Sequence, residues 1–95
     1  MIIESRSLVV RTAGLLTAPV DDEIVILNPA RDNYVGLNAI GRVVWDLIEE
    51  PREVAELCRS LSGEFGATPD QIAADLLPFL AEMAEERIAR VIAAP

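Results

Sequence analysis

The 95 residues fit one domain, read here as a single unit over 1–95, and the 52% hydrophobic content is too high for a disordered chain. No apolar run reaches the ~20 residues of a membrane span, and the start, Met1-Ile2-Ile3-Glu4-Ser5-Arg6, lacks the basic-then-apolar pattern of a signal peptide. Sixteen acidic against eight basic residues, all eight of them Arg, give a net charge of −8, which disfavours nucleic acid and suits a neutral or basic peptide or protein partner.

Leu15 to Val20 is apolar, and Pro19 within it makes it an edge strand or a strand end, because proline cannot donate to a ladder. Asp21-Asp22 reads as a turn. Glu23-Ile24-Val25-Ile26-Leu27 is the clearest strand, rich in β-branched residues. Asn28 to Asp32 is a second turn, with Pro29 fixing φ, and Asn33-Tyr34-Val35-Gly36-Leu37 is a third strand. Leu8-Val9-Val10 has weaker strand character.

Asn38 is a good N-cap, and Ile40, Val43, Val44, Leu47 and Ile48 behind it repeat at helical spacing, with Trp45 widening the face. Pro51 suits the first position of a second helix, whose stripe is Val54, Leu57, Cys58, Leu61 and Phe65 and which Gly66 ends. Thr68-Pro69-Asp70-Gln71 carries a capping box for a third helix with Ile72, Leu76, Phe79, Leu80 and Met83 on one broad face. Pro78 inside that helix removes one hydrogen bond and predicts a kink. Ile88 to Ala94 fits either a last strand or a fraying helix end. The fold class is therefore α+β, a winged helix-turn-helix-like layout with a three-stranded antiparallel sheet followed by three helices.

The residue types leave little room for chemistry. Without histidine there is no Ser-His or Cys-His pair and no histidine-bearing metal site, and one cysteine cannot build a zinc cluster. No phosphate-loop or dinucleotide glycine motif occurs; Gly63 and Gly66 read as helix terminators. The acid pairs Asp21/Asp22, Glu49/Glu50 and Glu85/Glu86 read as solvated turn and helix-end residues. The lone Cys58 fits a reducing cytoplasm and lies on an apolar stripe, where it behaves as a small hydrophobe. A recognition helix for DNA needs exposed Arg or Lys, yet the third helix holds five acids and no base. What remains is binding, with no enzyme activity and no cofactor expected. An uncovered strand edge accepts an extended peptide, and a helix alongside supplies apolar pockets.

The segments Asp22 to Pro29, Tyr34-Val35-Gly36-Leu37-Asn38, Gly41-Arg42-Val43-Val44-Trp45-Asp46-Leu47 and Asp75-Leu76-Leu77-Pro78-Phe79-Leu80 resemble the PqqD-like family, also called RiPP recognition elements. The resemblance runs from about Leu8 to Val91. It is nearest to the stand-alone B1 leader-binding proteins of lasso-peptide biosynthesis, and it implies that the leader of a ribosomally made precursor adds as a strand to the third strand beside the third helix. By position, the peptide contacts implied are Asn33, Tyr34, Val35, Gly36 and Leu37 on the strand, and Ile72, Asp75, Leu76, Phe79 and Met83 on the helix. Asp75 matches the family's acidic position, to meet a basic leader side chain or to anchor the helix. The implied partners are the precursor leader and a leader peptidase, a cysteine protease, and the exposed edge also invites a homodimer. The alternatives are the peptide chaperone of pyrroloquinoline quinone biosynthesis, which serves a radical enzyme, an acidic winged-helix regulator, and a hydrolase built on Cys58. Pro78, and Glu85 to Val91 in place of the usual Gly-Leu-aliphatic ending, depart from the family pattern.

Overall fold

The computed structural model describes residues 3–92. It places strands β1 (Leu8–Arg11), β2 (Leu16–Val20), β3 (Glu23–Asn28) and β4 (Asn33–Leu37) ahead of helix α1 (Ala39–Leu47). The short strand β5 (Arg52–Glu53), helices α2 (Val54–Phe65) and α3 (Pro69–Glu85), and strand β6 (Ala89–Ile92) complete it. The expected three-strand, three-helix order is present, with a second small sheet added to it. One antiparallel sheet runs β2-β3-β4 and the other β5-β1-β6.

The turn chemistry sets the first sheet. Val20 pairs with Glu23 across the two-residue turn Asp21-Asp22, and Asp21 takes φ +57°. Asp tolerates this left-handed conformation better than most residues because its short side chain can bond the nearby backbone. At the other end the buried Asn28 ties the β3–β4 loop: its Oδ1 accepts from the Ala30 N–H at 3.2 Å, and its carbonyl accepts from the Arg31 N–H at 3.2 Å. Along β3, Ile24, Ile26 and Asn28 are buried while Glu23 and Leu27 are exposed, the period-two signature of a sheet with one face in the core.

The helices begin and end largely where their caps direct, although Gly63, expected as a terminator, lies inside α2, which runs on to Gly66. The Asn38 side chain accepts from the Gly41 N–H at 2.8 Å. Thr68 and Gln71 form the reciprocal capping box, and Gly66 closes α2 at φ +71°. α3 runs through Pro78 to Glu85 as one helix. The start of α2 differs from expectation. Pro51 stands outside the helix, because Arg52 and Glu53 pair with Val9 and Leu8 of β1 before the chain turns helical at Val54. Glu53 offers no side-chain cap. The freed N–H groups of Val54 and Ala55 instead donate to the carbonyls of Ser7 and Ser5, at 3.0 and 2.8 Å.

One core joins both sheets to the three helices. Ile26, Ile48, Leu80, Ile88 and Val9 are fully buried at its centre. Arg11 of β1 fastens the second sheet to α1. Its guanidinium lies 4.7 Å from the centre of the Trp45 ring, and its Nε donates to the Trp45 carbonyl at 2.8 Å. The tail is a strand. β6 pairs antiparallel with β1, from Ala89 opposite Arg11 to Ile92 opposite Leu8. Ala93 and Ala94, the end of the segment left open between strand and helix, lie outside the described residues.

Candidate functional site

Strand β4 is at one edge of its sheet, and the C-terminal strand that could have covered it pairs with β1 instead. Among the described residues, nothing pairs with the outer side of β4. The alternation of an antiparallel ladder identifies which backbone groups face that open side. Pro19 has no N–H, so the Pro19–Ile24 pair occupies a non-hydrogen-bonded position, and Ile24 turns its amide groups toward β4. Through the register Ile24–Leu37, Ile26–Val35 and Asn28–Asn33, the odd-numbered residues of β4 bond β3. Tyr34 and Gly36 therefore direct their N–H and C=O groups outward. The opposite edge, β2, is blunted by the same Pro19, which leaves it one donor short.

Beside the open edge lies α3, and between the two run a pair of adjoining hollows. The upper one, about 510 Å³, is lined by Gly36 and Leu37 of β4, Ile40 of α1, Leu61 and Phe65 of α2, and Ile72, Asp75, Leu76 and Phe79 of α3. The lower one, about 290 Å³, lies between Tyr34, Val35 and Gly36 of β4 and Phe79, Glu82 and Met83 of α3, with Glu86 at the α3 C-cap. Phe79, Gly36 and Leu37 border both, so the Phe79 ring divides one continuous groove.

Nine of the ten residues expected to contact peptide line this groove: Tyr34, Val35, Gly36, Leu37, Ile72, Asp75, Leu76, Phe79 and Met83. They do so in different ways. Leu37, Leu76 and Met83 are buried and form its floor, while Ile72, Val35 and Phe79 are half-buried and present apolar surface to the groove. Asp75 is exposed on the rim. The Tyr34 side chain is 75% exposed and shares the outer sheet face with its cross-strand partner Leu27, so Tyr34 offers the groove its backbone. Asn33 lies beyond the lower end. Its Nδ2 donates to Glu86 Oε2 at 3.0 Å, while its Oδ1 is buried without a partner. With Arg31, whose Nη1 donates to the Glu85 carbonyl at 2.9 Å, it ties the β3–β4 loop to the C-terminal end of α3 and sets the width of the groove.

The contributions from α1 and α2 were not anticipated. Ile40, Gly41, Val44, Leu61 and Phe65 wall the upper hollow. Gly41 is there for space: a Cβ at this position would stand 3.2 Å from Leu37 Cβ and 3.2 Å from the Phe79 ring. Phe65 and Ile40 remain 44% and 57% exposed despite lying on apolar stripes, and this solvent exposure is invisible to periodicity. Glu82 and Glu86, three and seven residues beyond Phe79, follow from helical spacing and extend the acidic rim begun by Asp75.

No cluster of three or more metal-ligating side chains occurs among the described residues. Cys58 is buried in the core, and burial pushes its thiol above the ordinary range, against a weaker opposing pull from Arg59. A raised pKa means that the folded state holds the proton longer. Stability from this group is therefore full below the ordinary thiol pKa and declines as pH rises through and above it. Native Cys58 should react with an aromatic disulfide reagent at least tenfold more slowly at pH 8 than in urea-unfolded protein; equal rates would disprove the buried placement.

The sequence model described as "Coenzyme PQQ synthesis protein D (PqqD)" matches residues 23–89, more than half of the chain. The chain belongs to the PqqD family. The matched span of this PqqD-family chain runs from the start of β3 to β6 and so holds both walls of the groove. A solved structure described as "TbiB1 in Complex with the TbiA(beta) Leader Peptide" superposes with a TM-score of 0.78 at 27% identity, covering 85% of this chain and 94% of that one. No curated protein sequence matches significantly.

Proposed function

We propose that the chain is a non-catalytic adaptor that binds the leader of a lasso-peptide precursor as an added strand on β4 and presents it to a leader peptidase, a cysteine protease, in the cytoplasm. The vacant β4 edge beside the α3 groove is the observation that carries this reading. The leader strand would exchange hydrogen bonds with Tyr34 and Gly36 and send alternate side chains into the groove, where the Phe79 ring separates two receiving hollows. Rim acids Asp75, Glu82 and Glu86 favour a leader with basic residues on that side. The likeness to TbiB1, a protein solved with a leader peptide, supports leader binding here.

The PqqD family match favours a second reading, a peptide chaperone of pyrroloquinoline quinone biosynthesis serving a radical enzyme. Fluorescence anisotropy with labelled leaders from the two pathways tests both. The lasso leader is expected to bind with a Kd of about 1 μM or tighter, near −8 kcal/mol. Selective binding of the quinone precursor would transfer the adaptor to that pathway, and the absence of binding by either at ~50 μM would end the adaptor reading.

A further inference from the structure

Gly41 stands where three elements meet at the groove. It lies in the first turn of α1, buried between the end of β4 and the Phe79 ring of α3. Glycine inside a helix loses more backbone entropy on folding than alanine, so its presence there calls for a physical reason. The reason is contact. A Cβ at Gly41 would lie 3.2 Å from Leu37 Cβ, 3.2 Å from Phe79 Cζ and 3.4 Å from Asn38 Oδ1. At Gly63, the glycine inside α2, a Cβ would meet nothing within 4 Å. The two shortest separations at Gly41 are tighter than ordinary van der Waals contact, so a neighbour would have to give way.

Two of the three neighbours are fixed. Leu37 is buried and paired with Ile24, and its crowded atom is the Cβ, which moves only with the backbone. Asn38 caps α1 by accepting from the Gly41 N–H at 2.8 Å. Arg42 ties the same turn of helix to the β2–β3 hairpin, its Nη1 donating to the carbonyls of Asp21 and Glu23 at 3.1 Å each. These bonds keep α1 from sliding away from β4. Phe79 differs from both. Its crowded atom is the far end of a side chain, and the ring is half-buried with its open side on the groove.

We propose that Gly41 is a positioning residue for leader binding: its missing Cβ lets the Phe79 ring rest against α1, clear of the path that the added strand takes. The inference rests on leader addition at β4 as proposed above. A side chain at position 41 drives the ring tip toward the groove, the direction without packed neighbours. The space is taken from the hollow of about 510 Å³ that both residues line, and a leader side chain entering it meets the edge of the ring. A displaced ring therefore costs more affinity than a smaller residue in its place.

The test is a double-mutant cycle of Gly41→Ala, Phe79→Leu and the two combined. Affinity for a fluorescein-labelled lasso leader is read by anisotropy and stability by thermal melting. Gly41→Ala is expected to weaken binding by about tenfold, more than Phe79→Leu does, with a melting temperature within ~5 °C of wild type, because the gain in helix propensity offsets the crowding. The combined variant is expected to match Phe79→Leu within about twofold, since leucine lacks the ring tip that the new Cβ strikes. A loss for Gly41→Ala no larger than that for Phe79→Leu overturns the inference. So does a combined variant weaker than that match allows, because the loss then does not pass through the ring. A larger fall in melting temperature, or an unfolded chain, also overturns it, since Gly41 then serves the fold rather than the site. The seat of the ring has a readout without leader: a nuclear Overhauser contact between the Phe79 ring protons and the Gly41 Hα protons is expected in the wild-type chain, and its absence overturns the proposal. If the wild-type chain binds no leader, the adaptor reading fails, and this contact distinguishes that failure from a misplaced ring.

Discussion

Phe79→Asp should weaken leader binding by about 100-fold, corresponding to about 2.7 kcal/mol. Its circular dichroism spectrum is expected to match wild type. Phe79 is half-buried and borders both hollows, so the ring is the largest apolar surface that an added strand would cover. Full burial of such a side chain is worth roughly 1.5–3 kcal/mol, and the substitution forfeits this and places a carboxylate in a slot that the leader must dry. Asp75 and Glu82 stand one turn away on either side and add like-charge repulsion. The fold should survive because the fully buried Leu80 and Ile88, not Phe79, occupy the core beneath. Phe79→Leu, which keeps apolar bulk, is expected to lose only about fivefold. Wild-type affinity in the aspartate variant would mean that the peptide does not lie in this groove.

Gly36→Pro should cost at least tenfold in the same titration. It removes the outward N–H of the β4 edge and sets a pyrrolidine ring in the path of the incoming strand; one lost ladder bond is worth about 1 kcal/mol, and the steric block adds to it. The substitution imitates what Pro19 already does on β2, and an outward-facing edge position is where a sheet tolerates proline. Gly36→Ala is the control. A Cβ there meets nothing within 4 Å, so affinity should change less than twofold. If alanine and proline behave alike and neither weakens binding, backbone pairing does not hold the leader. If both weaken it strongly, the position acts through its side-chain space rather than its N–H.

The two variants separate the sources of affinity. Phe79 reports on apolar anchoring, which favours particular leader side chains, and Gly36 on the ladder, which accepts any extended chain. Such a combination suits the adaptor role proposed above.

Local chemistry alone determined most of the elements and half of the groove. Asn38, Thr68 with Gln71, and Gly66 act within one or two turns of themselves, so their caps were legible from residue type and spacing. The period-two pattern of β3 and the apolar face of α3 were legible for the same reason, and the family resemblance located Phe79 and β4. Tertiary structure decided the rest, because pairing between distant segments leaves no periodic trace in either partner. Pro51 lies outside α2 because Arg52 and Glu53 found β1, forty-odd residues away. Ile40, Leu61 and Phe65 became walls of a hollow when α1 and α2 met α3. Ala89 to Ile92 could have closed the β4 edge, but their pairing with β1 leaves Tyr34 and Gly36 facing water, free to accept a strand from another molecule.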